Sequence, residues 1–142
     1  MKAGHPDTSE DELEVLSRHE HHHIRRRVAE NDRTPVKVLM LLARDEHAEV
    51  RVGVAEHPRT PQEILDRLAA DESLEVRHSL AENHNLPMSI LLRLAEDENP
   101  YVSHRAWRTL RRLQPPDIAE LGPNPYSGGA DSYALRRMPF DK

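Results

Sequence analysis

The chain has 142 residues, of which 37% are apolar and 32% are charged, and its mean hydropathy of -0.79 predicts a soluble protein of one domain. It contains no cysteine, which excludes disulfides, thiol nucleophiles and cysteine-ligated metal or iron–sulfur centres, and no apolar run approaches the roughly 20 residues that span a bilayer. The formal net charge of -5 disfavours nucleic acid as a partner without excluding a local basic patch.

The N-terminal segment, Met1–His23, is acidic and lacks the apolar stretch of a signal peptide, so we expect a cytoplasmic protein with no membrane partner. The same segment begins a pattern that recurs further along the chain. Its matching positions hold Ala3, Thr8, Leu13, Leu16 and Ser17.

Three consecutive segments, residues 24–49, 50–75 and 76–101, align without gaps and give a 26-residue period. A period of this size predicts stacked repeats that share one core. Residues 102–113 match the front of a further unit. We therefore expect an all-α fold, a right-handed α-solenoid of about four 26-residue two-helix repeats over residues 1–113. The recurring positions hold Ala29, Ala55 and Ala81; Pro35, Pro61 and Pro87; Leu42, Leu68 and Leu94; and Asp45, Asp71 and Asp97.

Each unit is predicted to contain a short and a longer helix. In residues 50–75, Val54 and Ala55 lie on the apolar face of the first helix, which Pro58 ends. Thr60 is predicted to cap the second helix, with Glu63 completing a capping box.

Two neighbouring positions of the unit hold residues of unlike size and charge. We expect packing not to dictate these positions, so that ligand-specific chemistry lies there. One holds Arg26, Val52, His78 and His104, and the next holds Arg27, Gly53, Ser79 and Arg105.

The strings VRVGVAEHPRTPQEILDRLAAD and VRHSLAENHNLPMSILLRLAED resemble leucine-rich repeat variant units, which are bacterial repeats of a short and a long helix that form a right-handed superhelix. They are also similar to short HEAT repeats, whose ladder pairs an aspartate with an arginine six residues later. This resemblance implies a ladder of Asp45, Arg51, Asp71 and Arg77 that ties layers together and does not bind a ligand. The pattern departs at His19 and at Ser103. Some variant-repeat proteins carry a cysteine-ligated iron–sulfur domain, which does not carry over to this chain.

A histidine cluster follows the first predicted unit and holds His19, His21, His22 and His23. Imidazoles bind zinc, nickel and copper, but a site needs three or four converging ligands. Because the string spans a turn, we expect its side chains to splay, which leaves only a weak metal candidate. The other interpretation is a solvated turn that gains charge below about pH 6.5.

A basic ridge is a further candidate site, for phosphate or for an acidic partner. The other interpretation of these residues is a solvated surface. The ridge candidates are Arg26, Arg27, His78, His104, Arg105 and Arg108.

Residues 114–142 contain a high density of proline and glycine, which predicts a linker and tail outside the repeats. This tail also holds Tyr126, Tyr133 and Phe140, spaced by seven. We expect these rings to contact the repeat surface or a second chain.

No phosphate-binding loop or hydrolase motif is present, so we expect no enzyme activity and no cofactor. The sequence favours a non-catalytic protein–protein interaction module, a small adaptor or scaffold with an unidentified partner. The first alternative is a nucleic-acid-binding module that uses the basic ridge. The second is a histidine-based metal-binding protein. The oligomeric state stays open.

Overall fold

The computed structural model describes residues 2–113, and this part of the chain is helical with no strand. A short 3₁₀ helix at Lys2–Gly4 precedes the first α-helix. The α-helices are α1 (Glu10–Leu16), α2 (His22–Glu30), α3 (Val36–Leu42), α4 (Ala48–Glu56), α5 (Gln62–Leu68), α6 (Leu74–Ala81), α7 (Met88–Ala95) and α8 (Pro100–Leu113). The predicted all-α class is confirmed, whereas the right-handed solenoid and the number of repeats stay predictions.

The chain divides into two compact units, Met1–Leu80 and Ala81–Lys142. The first contains α1 to α5 and nearly all of α6, and the described part of the second contains α7 and α8. None of the helices in the described residues is long and apolar enough to cross a bilayer.

The core of the first unit is built from the recurring small and large apolar positions. Ala29 and Ala55 are 0% and 1% exposed, and Leu42 and Leu68 are 1% exposed. These positions were predicted to recur because packing requires them, and their burial confirms this.

Gly53 shows that packing also dictates a position that we expected to vary freely. It is buried on α4, and a Cβ added to it would lie 2.8 Å from the Cβ of Ala29 on α2. Because α2 and α4 approach so closely at this point, only glycine fits without a shift of one helix. The expectation that this position is free of packing constraints is therefore wrong at Gly53.

The start of α5 differs from the predicted capping box. Helix α5 begins at Gln62 after Pro61, without a side-chain cap. The hydroxyl of Thr60 instead donates to the carbonyl of Val54 at 2.7 Å, and Thr34 makes the equivalent bond to Val28. The last carbonyls of a helix lack intrahelical donors, so each threonine serves the end of the preceding helix and not the start of the next.

In the second unit, α7 and α8 pack through their apolar faces. Leu91 on α7 and Val102, Ala106 and Leu110 on α8 are fully buried. The hydroxyl of Thr109 donates to the carbonyl of Ala81.

Candidate functional site

The predicted aspartate–arginine ladder joins consecutive repeats. Arg51 Nε and Nη2 donate to the two carboxylate oxygens of Asp71 at 2.9 and 3.0 Å, and its Nη1 donates to the carbonyl of Asp45 at 2.6 Å. The side chains of Arg51 and Asp71 are 10% and 9% exposed. The carboxylate therefore comes from the following repeat, and the preceding turn contributes only its backbone. Arg77 Nη1 donates to the carbonyl of Asp71 at 2.6 Å, as the same pattern requires.

Arg25 forms a rung of the same ladder that sequence reasoning missed. Its Nε and Nη2 donate to Asp45 at 2.6 and 3.1 Å, and its Nη1 donates to the carbonyl of His19 at 2.7 Å. Burial acts to raise the pKa of Asp45, but the bonds from Arg25 and from the His47 N–H hold that pKa below its ordinary value. The sequence could have indicated this rung, because Arg25 lies one 26-residue period before Arg51.

His19 occupies the position where the following repeats have an aspartate, and the rung formed by Arg25 is nevertheless present. His19 Nδ1 accepts the backbone N–H of His21 at 3.0 Å, as Asp45 Oδ1 accepts that of His47 at 2.9 Å. The imidazole therefore takes over the turn-forming role of aspartate, while its carbonyl accepts Arg25.

A second ladder between repeats, which sequence reasoning also missed, lies in the turns after α2 and α4. His57 Nε2 donates to the carbonyl of Asn31 at 2.8 Å, and Asn31 Nδ2 donates to that of His5 at 3.0 Å. His57 Nδ1 accepts the N–H of Arg59 at 3.0 Å, so the neutral ring uses both nitrogens. Burial holds the pKa of His57 below its ordinary value. The sequence could have indicated this ladder, because an Asn or His recurs at residues 5, 31, 57 and 83.

The histidine cluster does not splay as predicted. The rings of His22 and His47 stack at 4.2 Å, and His19, His21 and His23 form successive ring contacts of 5.2 and 5.4 Å. Helix α2 and the turn before it supply four of these rings, and His47 comes from the start of α4. No group of three or more possible ligands that could hold a metal is found in residues 2–113.

The basic ridge is partly neutralised where the structure describes it. Arg26 Nε lies 2.8 Å from Glu30, its Nη1 lies 3.7 Å from Glu49, and Arg27 lies 3.7 Å from Glu30. The hydrogen bond to Glu30 raises the pKa of Arg26. These two arginines therefore already have carboxylate partners.

The other predicted site residues lie on different elements or outside the description. His78 is half-buried on α6, Arg105 is half-buried on α8, and His104 and Arg108 are exposed on α8. The tail candidates Tyr126, Tyr133 and Phe140 lie outside the described residues.

A groove between the second helices of the first unit was not predicted. The α1–α3–α5 groove has a volume of about 490 Å³. Met40 and Leu41 in this groove are 49% and 44% exposed, above the buried side chains of Val38 and Ile64. The sequence signal was that Met40 and Leu41 are apolar where the next unit has Asp66 and Arg67. The lining residues are Glu14, Ser17, Arg18, Lys37, Val38, Met40, Leu41, Arg44, Ile64 and Arg67.

The rim of the α1–α3–α5 groove is basic, although the whole chain is acidic. Lys37 Nζ lies 2.9 Å from Glu14, and this hydrogen bond holds the pKa of Glu14 below its ordinary value. Arg18, Arg44 and Arg67 are exposed, and none of them forms an ion pair within residues 2–113. The groove thus combines an apolar floor with three guanidinium groups that form no ion pair in the described residues, although the charge of Arg18 also contributes to the low pKa of Glu14.

One comparison finds a similarity between the central repeat and a known repeat family. Residues 48–73, which span α4 and α5, match the family model described as leucine rich repeat variant. No curated protein and no solved structure matches the chain. Residues 48–73 are thus similar to a leucine rich repeat variant unit, which supports the resemblance stated from the sequence.

Proposed function

We propose that this chain is a non-catalytic protein-interaction module that binds its partner in the α1–α3–α5 groove. The observation that carries the proposal is the exposure of Met40 and Leu41 between Arg18, Arg44 and Arg67, which have no ion-pair partners in the described residues. Exposed apolar side chains surrounded by polar groups are typical of interaction sites.

The two ladders support this choice because their own polar groups bind the protein itself and are not available to a partner. Arg25 and Arg51 each direct three nitrogens to the protein itself, and His57 uses both ring nitrogens. These residues hold one repeat against the next. In repeat proteins the packed positions build such a scaffold, and the surface positions are free to take up a partner.

The apolar floor favours a protein partner over nucleic acid. Binding of a phosphate backbone needs clustered positive charge, and single strands also use aromatic rings for stacking. The groove lining contains no aromatic residue, and Arg26 and Arg27 already pair with Glu30. These observations rank the nucleic-acid alternative second.

Site-specific photo-crosslinking in the native cell tests the proposal. The photoreactive residue p-benzoylphenylalanine replaces Met40 in the groove or, as a control, Tyr101, an aromatic side chain of α8 that is 73% exposed. We expect discrete protein adducts from position 40 that are absent from position 101. Nuclease-sensitive adducts would support the nucleic-acid alternative instead, and the absence of adducts at position 40 would refute the proposal.

A further inference from the structure

We infer that the partner segment in the α1–α3–α5 groove is acidic and amphipathic, with apolar side chains that cover Met40 and Leu41 and carboxylates that pair with the rim arginines. This inference rests on the proposed function and specifies the chemistry of the partner. It follows from the shape of the floor, the rim arginines that form no ion pair in residues 2–113, and the spacing of the repeats.

The floor selects large apolar side chains. Val38 and Ile64 are 2% and 3% exposed and form its closed bottom, while Met40 and Leu41 remain about half exposed above them. Methionine adapts to differently shaped apolar partners. A volume of about 490 Å³ falls within the range of ordinary ligand pockets, about 300–1,000 Å³, and has room for a few side chains. A wholly polar segment would leave this floor uncovered.

The rim selects carboxylates. Arg18, Arg44 and Arg67 can each bind a carboxylate through two parallel hydrogen bonds, and in the described residues no existing ion pair must break first. Lys37 differs because it already forms an ion pair with Glu14. A basic segment would face four cations and one carboxylate, so the groove should reject it. Charge complementarity therefore distinguishes between partners of equal apolar character.

The repeat spacing indicates where the carboxylates should lie on a helical partner. Arg18 and Arg44 are equivalent residues, each two positions after the end of a second helix, α1 or α3. Packed helices lie about 8–10 Å apart, and residues seven apart on a helix are separated by about 10.5 Å along its axis. Acidic residues spaced by seven therefore match these two arginines.

Fluorescence anisotropy with the full chain and three synthetic peptides tests the chemistry. The first is an amphipathic helix of about 15 residues, or four turns, with leucines on one face and glutamates spaced by seven beside them. The second has lysine in place of every glutamate, and the third has serine in place of every leucine. We expect the first peptide to bind at least tenfold more tightly than the other two, and its binding to weaken as salt rises.

Charge reversal assigns the binding to the groove. The double variant Arg18→Glu, Arg44→Glu should bind the acidic peptide at least tenfold more weakly and should now prefer the lysine peptide. Arg59→Glu, which reverses an exposed charge outside the groove lining, should bind as the wild type does. A helical circular-dichroism signal equal to that of the wild type shows that the double variant is folded, and this separates recognition from loss of fold.

Several outcomes would overturn the inference. Equal binding of the acidic and lysine peptides, or no binding of either, would do so. A further outcome is that the chain self-associates in sedimentation, that Arg44→Glu abolishes this association, and that no peptide binds. The groove would then bind a second copy of this chain and not an acidic partner. If the crosslinks at position 40 persist unchanged in the double variant, the proposed function stands and the acidic partner is wrong. If there are no crosslinks in either protein, both are wrong.

Discussion

Removal of one ladder arginine, Arg51→Ala, should destabilise the protein by about 2–4 kcal/mol. Breaking a fully buried ion pair by removing one partner costs about 3–5 kcal/mol, and Arg51 and Asp71 are 10% and 9% exposed, so a small part of that cost is relieved by water. The variant leaves the Asp71 carboxylate without its two charged donors and the Asp45 carbonyl without its guanidinium donor.

Urea unfolding followed by circular dichroism measures this free energy, with Arg44→Ala as the matched control. Arg44 is exposed and forms no ion pair in the described residues, so its replacement should change the free energy of unfolding by less than about 0.5 kcal/mol. The pair variant Arg51→Ala, Asp71→Asn should recover at least about 1 kcal/mol of the predicted loss, because no uncompensated buried charge remains.

The result that would refute this reasoning is an Arg51→Ala variant as stable as the Arg44→Ala control. Exposed ion pairs contribute only about 0–1 kcal/mol, so equal stability would mean that the ladder behaves as a solvated surface pair. Additive effects of the Arg51 and Asp71 substitutions would likewise show that the two residues are not coupled.

Three further predictions follow from other contacts. Arg25→Ala should cost about as much as Arg51→Ala, since both side chains are about 10% exposed and bidentate; a much smaller loss in urea unfolding would show that His19 weakens the first rung. The folded-state pKa of His57 is lowered, so the unfolded chain takes up the proton first. The neutral His57 ring therefore stabilises the protein fully above the unfolded pKa of about 6.5, and this contribution is lost as pH falls below it towards the folded pKa. The variant His57→Asn should remove this pH dependence. A difference in stability between the two proteins that is constant from about pH 8 to 5 would contradict the prediction. Gly53→Ala should cost about 1–3 kcal/mol, because its Cβ would overlap that of Ala29, and Ala29→Gly in the same chain should restore most of the loss; a stabilised Gly53→Ala variant in thermal unfolding would show that α2 and α4 separate easily.

The sequence alone determined the helical class and the positions of the core. Ala29, Ala55, Leu42 and Leu68 recur at one period, and all are buried. This could be read without a structure because each repeat packs against a similar neighbour, so the same packing requirement returns at the same position. The match of residues 48–73 to a repeat family reflects the same constraint.

Only the tertiary structure decided which atoms meet across repeats. The carboxylate that binds Arg51 lies 20 residues further along, on Asp71, and His57 donates to the carbonyl of Asn31 one repeat earlier. A repeat pattern shows that positions are equivalent, but it does not show which of two neighbouring repeats supplies a partner. That choice depends on the distance and direction between packed helices.

The candidate binding surface also needed the structure. Met40 and Leu41 follow the apolar pattern of a core helix, yet they are half exposed in a groove whose rim holds Arg18, Arg44 and Arg67. The predicted ridge residues Arg26 and Arg27, by contrast, lie beside Glu30 and Glu49. Residue types give the number of charges and apolar groups, whereas solvent exposure and the neutralisation of a charge depend on which side chains from other helices lie beside them.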